Sequence, residues 1–448
     1  MKNGWQAKKL GALCEIELGR TPARANNSYW DERRETGNVW LSIADLLKAE
    51  DNIVADSKEY VSDEGAAICK LVPKGTLLVS FKLTLGRLAF AGQDLFTNEA
   101  IAALSILNEH ELSKEFLFYF LHFFDWTKAA ENDVKLKGMT LNKAKLKEMT
   151  IHFPPPAEQR RIVGILDEAF EGITVAKANA EKNLKNARAL FESFLNLAIQ
   201  GRLIPQNSAD SPAAELIKEI EQARNAAIKQ GRAKPEKSRP AETKEDTQVE
   251  LPNSWKWARL ESLTGSISDG VHKTPQYSSN GIPFVTVKNL TAGPGISFDE
   301  TNFITREDHE EFVKRTHPEK GDILITKDGT IGVVRLIETD IEFSIFVSVA
   351  LIKPIMRELG PYLVYALRAS CVQSQIVPQG AALKHLYLVD LRKLAIPLPP
   401  LAEQKRIVAT LNSLNAEIQR LESICGRKLA ALEALKKSLL HQAFTGQL

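Results

Sequence analysis

The sequence predicts an α+β chain. Two β-rich modules, each with a mixed sheet and short helices, are joined by two long antiparallel helices that form an intramolecular coiled coil. The whole carries a pseudo-twofold internal repeat. Three observations lead there. Residues 157–203 recur without a gap as residues 402–448, at a shift of 245. A set of short β-branched runs recurs at nearby shifts. Each copy of the 157–203 stretch carries a near-heptad apolar seam. Self-similarity at a fixed spacing marks a duplicated structural unit.

In chain order, the first module covers 1–153. Trp5, Leu10 and Leu13 open it and recur as Trp255, Leu260 and Leu263. Trp40-Leu41-Ser42-Ile43 recurs as Phe284-Val285-Thr286-Val287 at a shift of 244. The run 74–79 (KGTLLV) recurs as 320–325 (KGDILI), and Thr84-Leu85-Gly86 as Thr330-Ile331-Gly332, both at 246. Small changes of shift mean loop insertions. Residues 76–81, 87–91, 323–326, 332–337 and 347–352 have strand length and β-branched content. Residues 116–124 (FLFYFLHFF) and 362–370 read as helices, although a lone apolar run also fits a buried strand.

The first long helix is placed at 154–203 and the second at 396–448. Both follow a proline stop, Pro154-Pro155-Pro156 and Pro399-Pro400, and proline suits a helix start better than a helix interior. The first seam is Ile162, Leu166, Ala169, Ile173, Ala176, Ala180, Leu184, Ala187, Phe191, Phe194 and Ala198. The second is Leu411, Leu414, Ile418, Leu421, Cys425, Leu429, Leu432, Leu435 and Leu439. Such seams pack one helix along another, and about 44 residues span roughly 66 Å. Gly164, Gly172 and Gly426 each weaken the helix by about 1 kcal/mol relative to Ala. A lone seam would suggest a homodimer. Two equivalent helices in one chain favour each other, so a monomer is expected. Residues 204–250 connect the copies: 213–230 as a helix, 234–248 as a charged, flexible linker. The second module then covers 251–395.

Composition bounds the chemistry. The four cysteines lie far apart and form no CxxC pair, so reduced thiols and no zinc site are expected. No apolar run reaches the ~18 residues of a membrane helix, and the N-terminus lacks a signal peptide, so a cytoplasmic location is expected. No GxGxxG follows a strand and no GxxxxGK[ST] phosphate loop occurs. The prolines at 154–156 and 399–400 lack the preceding acidic or amide residue that an amino-methyltransferase uses. Asp56-Ser57-Lys58 stands without a Pro-Asp pair, and the histidines lack HExxH spacing. The chain is therefore expected not to be an enzyme and to hold neither cofactor nor metal.

Nucleic-acid binding has local support. The net charge is only +2, so any basic surface must be local. Between 128 and 147 six lysines, among them Lys135 and Lys137, face two acids. Such lysines neutralise phosphates without reading sequence; a solvated helix face fits the charge equally well. Base reading needs polar side chains on projecting loops. Two loops precede the matched Trp40 and Phe284 strands: 19–24 with Arg20, Thr21 and Arg24, and 268–277 with His272, Lys273, Thr274, Gln276 and Tyr277. Lys82 and Thr84 occupy one matched turn, Lys327 and Thr330 the other. Lys288 and Lys384 complete the candidates.

Several segments together carry a family resemblance. They are 396–404 (IPLPPLAEQ) with Arg406-Ile407-Val408, its copy 153–163, and the helix endings 198–203 and 443–448. Gly19-Arg20-Thr21-Pro22, Ser268-Asp269-Gly270-Val271-His272 and Lys320-Gly321-Asp322-Ile323-Leu324 join them. In this order and in duplicate, the chain resembles the specificity subunit of type I restriction–modification systems over its whole length. The first copy departs at Phe153-Pro154-Pro155-Pro156, and Gly19-Arg20 replaces the more usual paired glycine. The resemblance implies that each module reads one half of a bipartite double-stranded DNA target. The coiled coil would be a ruler for the unread spacer, and the helical regions would dock two methyltransferase subunits, with contacts at the helix starts: Glu158, Gln159 and Arg161 in the first, Glu403, Gln404 and Arg406 in the second. S-adenosylmethionine would belong to those partners, and ATP and Mg to joining restriction (translocase) subunits. The modules differ outside the matched strands, so an asymmetric target is expected.

Overall fold

A computed structural model describes residues 4–130, 134–135, 138–233, 250–379 and 384–448. Lys137 and the charged 234–248 stretch therefore lie outside the described residues. The chain forms two compact units. One combines Met1–Glu181 with Cys425–Leu448, and the other is Lys182–Ile424. Each unit holds one β-rich module, the N-terminal part of one long helix and the C-terminal part of the other.

In the first unit the module closes on itself before the helix begins. Strand Gln6–Lys9 pairs antiparallel with Thr150–Phe153, and the proline stop follows. The central sheet runs in the order Cys14–Leu18, Ile101–Ile106, Leu77–Ser80, Leu88–Ala91, Ile53–Val54. Leu77–Ser80 is buried at every position, as a mid-sheet strand covered on both faces should be. A smaller sheet holds Val39–Leu41 between Glu59–Tyr60, antiparallel, and Phe96–Thr97, parallel.

The phenylalanine-rich run is a helix, Lys114–Phe123. The Ser113 side chain accepts a hydrogen bond from the Phe116 amide at 3.1 Å and starts it. Residues 116–121 are all buried because the helix lies between the sheet and the long helices. Phe444 stacks on Phe123 at 5.5 Å and meets Phe116 edge-on at 5.3 Å.

The second unit repeats this plan. Lys256–Arg259 pairs with Ala395–Leu398. The main sheet runs Thr264–Asp269, Val349–Pro354, Ile323–Thr326, Val334–Leu336, all antiparallel. Ile282–Val285 lies between Asn302–Ile304 and the parallel Ser344–Ile345. The Trp40 and Phe284 strands therefore occupy equivalent places, as the repeat requires. Helix Gly360–Arg368 matches Lys114–Phe123. Tyr119 donates to Asp167 at 2.5 Å in one unit, and Tyr365 to Asn412 at 2.6 Å in the other.

The long helices are Pro156–Ile199 and Leu401–Thr445. Residues 396–398, expected to open the second helix, belong to a strand instead, because Ala395–Leu398 closes the module. Both helices end in the same C-cap. Gly201 and Gly446 have φ of 71° and 75°. The next amide returns to a carbonyl five residues back, Arg202 to Leu197 at 2.8 Å and Gln447 to Gln442 at 2.7 Å. Within the first unit Lys177 pairs with Glu433 at 3.0 Å and Arg161 donates to the Leu448 carbonyl at 2.8 Å. The two segments run antiparallel there. Within the second, Arg188 pairs with Glu422 at 2.5 Å. The first seam is buried at Ile162, Leu166, Ile173, Ala180, Ala187, Phe191 and Ala198. The second is buried at Leu411 and Ile418, but Leu421 and Leu435 are 45% and 47% exposed. A seam opposed by one helix covers less of a leucine than a module does.

The connecting helix, Ala213–Lys229, belongs to the second unit. Leu216 and Ile220 join its core, and the buried Arg224 guanidinium donates to the carbonyl of Glu261 at 2.6 Å and to that of Thr264. No helix among the described residues is long and apolar enough to cross a membrane.

Candidate nucleic-acid interface

Three segments converge in each module. The first is the loop after the opening strand of the main sheet. It must leave through a gap that only glycine fits: a Cβ on Gly19 would lie 2.1 Å from the Thr97 carbonyl oxygen, and one on Gly270 2.0 Å from that of Ile345. The next amide then bonds that same carbonyl, Arg20 to Thr97 at 2.8 Å and Val271 to Ile345 at 3.1 Å. The two loops are thus structurally equivalent.

The second segment is the matched turn, clamped by a buried hydroxyl. Ser80 and Thr326 are fully buried. Ser80 Oγ accepts from the Arg87 amide at 3.0 Å, and Thr326 Oγ1 from the Val333 amide at 2.9 Å. Gly86 and Gly332 close the same turns onto the carbonyls of residues 80 and 326 at 2.8 and 2.9 Å.

The third segment is the basic stretch. Thr140 pairs with Lys82 and Met139 with Leu83, while Val134 and Lys135 pair back with Met139 and Gly138. Leu141 donates to the Phe81 carbonyl at 2.9 Å, and Leu386 to that of Lys327 at 2.8 Å. Lys135 and Lys384 therefore stand on equivalent segments beside the turn.

The side chains fall into two groups. Some are tied within the chain. Arg24 pairs with Glu59 and stacks over Trp30 and Trp40, 4.1 and 4.9 Å from the ring centroids. Thr21 donates to Glu99. Burial pulls the Glu99 carboxyl upward, but the Thr21 hydroxyl, Lys82 and Arg24 outweigh it, so it titrates below an ordinary Glu. Lys327 is largely buried, 3.5 Å from Asp269 and 4.0 Å from Asp328. Lys288 pairs with Glu300 at 2.9 Å. The Arg20 guanidinium donates to the Ile68 carbonyl at 3.3 Å yet stays exposed. The second group is open: Thr84, Lys273, Thr274, Gln276, Tyr277, Thr330 and Lys384 are exposed, whereas His272 is exposed but held by Asp269.

Charge reasoning missed the acids and distant bases that organise these loops. Asp269, 6% exposed, gathers Arg315 at 2.8 Å, His272 Nε2 at 3.3 Å and Lys327. Asp328 holds His385 Nδ1 at 2.5 Å. Asp269 was visible only as part of the SDGVH motif; Arg315 and His385 left no local signal. Such prepaired donors lose less side-chain freedom on binding than free ones. Among the described residues no group of three His, Cys, Asp or Glu could hold a metal ion.

Three of the six helix-start candidates turn into their own module. Gln159, Glu403 and Gln404 are each 1% exposed. Gln159 Nε2 donates to the carbonyls of Pro154 at 2.9 Å and Glu111 at 2.7 Å, and its Oε1 accepts from the Ser113 amide. Gln404 Nε2 donates to Pro399 at 2.9 Å. Glu403 accepts from Trp255 Nε1 at 3.0 Å and from Gln206 at 2.6 Å. These three side chains lock the helix to its own module and offer nothing to a partner. Arg406 pairs with Asp210 at 2.5 Å. Glu158 and Arg161 pair with each other at 2.7 Å on the surface.

Comparison with known proteins gives a consistent result. Residues 2–186 and 252–424 match the model of the type I restriction modification DNA specificity domain. The chain is 22% identical over 99% of its length to the type I restriction enzyme MjaIX specificity subunit of Methanocaldococcus jannaschii, covering 93% of that protein. It is 23% identical to the EcoBI specificity subunit of Escherichia coli over 93% of this chain and 81% of that one. Among solved structures, it resembles a chain of a type I R-M system at a TM-score of 0.63, 20% identity, 100% of this chain and 99% of the other. The HsdS subunit of Thermoanaerobacter tengcongensis follows at 0.50 and 19%, covering 100% and 98%.

Proposed function

Because the chain belongs to the family of type I restriction–modification DNA specificity subunits, we propose that it is the DNA-reading subunit of such a complex. Each module reads one half of an asymmetric bipartite target in double-stranded DNA. The observation that carries this reading is the convergence, twice over, of a post-glycine loop, a hydroxyl-clamped turn and a flanking segment with a lysine, Lys135 or Lys384. The frame is shared and the exposed side chains of the post-glycine loops differ, Arg20 in one module against His272, Lys273 and Gln276 in the other, while the turns present the same threonine, Thr84 and Thr330. A common frame with unlike polar tips suits two different half-sites.

In this reading the subunit catalyses nothing by itself. Two methyltransferase subunits dock on its helical regions and bring S-adenosylmethionine; restriction subunits bring ATP and Mg. With Gln159, Glu403 and Gln404 buried, the surface residues Glu158, Arg161 and Arg406 remain for such docking. The helices set the unread spacer, so lengthening both together should lengthen it.

The test is to map methylated adenines genome-wide in cells carrying this chain and its methyltransferase partner. A single motif of two specified halves around a fixed spacer is expected. Methylation by the purified chain alone, or none with the partner present, would overturn the reading.

A further inference from the structure

Leu83 lies on the clamped turn of the first module, with φ of 63°. Among the described residues it is the sole apolar side chain held in the left-handed region, which costs energy for any residue with a Cβ. It is also 52% exposed, so packing does not repay that cost. The equivalent turn shows what the backbone alone requires: the matched position is Gly329, φ 67°. Strain at an exposed site whose repeat uses glycine marks a functional side chain.

The surroundings say what it would touch. Residues 82–83 pair with 139–140, and 138–139 pair with 134–135, so Leu83 stands on an outer strand of a small three-stranded sheet. On the floor of the DNA major groove the thymine methyl is the one apolar group. Lys82 and Thr84 flank Leu83 with a cation and a hydroxyl. Building on the DNA-reading role above, we infer that Leu83 is a specificity residue that contacts a thymine methyl group in the half-site of the first module.

The experiment uses the full chain with its methyltransferase partner. Methylated adenines are mapped for the unaltered chain, Leu83→Gly and Leu83→Asn, the last two being compatible with the backbone. Both variants should lose a thymine preference at one position of one half-site, by about tenfold, leaving the other half intact. Their thermal midpoints should not fall. Replacing that thymine by uracil in a duplex removes one methyl group and should weaken the unaltered complex roughly fourfold, leaving Leu83→Gly indifferent. An unchanged motif, or a lowered midpoint for Leu83→Gly, would overturn the inference. So would indifference to uracil together with unstacking of the duplex, which describes a wedge between bases. Absence of any methylated motif with the unaltered chain would remove the DNA-reading role itself, and the role of Leu83 with it.

Discussion

Thr326→Val tests the hydroxyl clamp. Valine matches threonine in shape and keeps β-branching, so the strand Ile323–Thr326 should stand. What disappears is the acceptor for the Val333 amide, 2.9 Å away in a fully buried setting. An orphaned buried amide costs about 1–3 kcal/mol. Val333 is itself half-buried, so water relieves part of the loss and about 1–2 kcal/mol is expected. At about 1.4 kcal/mol per decade, opening of the 327–332 turn should rise roughly five- to thirtyfold. Amide hydrogen exchange at Val333 reads this directly, because local openings report their own free energy. DNA recognition should weaken for the second module's half-site alone. Ser80→Ala should act more strongly on the first module, since Ser80 also donates to the Thr84 carbonyl at 2.5 Å. Unchanged protection at Val333, or a loss spread evenly over both modules, would refute the clamp.

Other expectations follow from the same structure. Gly164, Gly172 and Gly426 have open space where a Cβ would stand, so each change to Ala should stabilise by about 0.4–1 kcal/mol; a lower thermal midpoint would contradict this. Module exchange should be cut after Phe153, because Thr150–Phe153 pairs with Gln6–Lys9. A cut at 150 strips that strand and should lower the soluble yield, whereas a cut at 153 should change one half-site only. His309 is 5% exposed, with Nδ1 2.9 Å from Ser344 Oγ. Burial holds its imidazole below the ordinary value, against the pull of Glu342. The unfolded chain therefore binds the proton first, and stability is lost as pH falls below about 6.5 toward the depressed folded value. Chemical denaturation at pH 7.5 and 5.5 should show this loss, and His309→Gln should reduce it, the remainder coming from His122, which burial also holds below the ordinary value; an identical slope in the variant would sink the assignment.

Sequence legibility followed the range of each signal. The proline stops and glycine caps were readable because they act within a turn, although the second helix begins at Leu401 and not at 396. The main strands were readable because mid-sheet burial leaves unbroken apolar runs. The seam was overread at Leu421 and Leu435, since a heptad pattern does not report how much of each side is covered. The largest gap concerned polar side chains. Gln159 and Gln404 bond backbone carbonyls, which any sequence supplies, so nothing distinguished them from surface glutamines. Lys327 and Arg24 counted as free cations because their acids, Asp269 and Glu59, lie 58 and 35 residues away.

The division of the long helices has a consequence for how the chain is made. The second unit, Lys182–Ile424, is continuous, whereas the first needs Cys425–Leu448 to complete a core begun by Met1–Glu181. Phe444, which covers Phe116 and Phe123, is synthesised more than 300 residues after them. During translation the residues that complete the first core therefore appear only after the whole of the second unit, and until then the aromatic helix Lys114–Phe123 lacks Phe444. That interval is when a chaperone has most to shield, and a chain stopped short of 425 would injure the module at its opposite end.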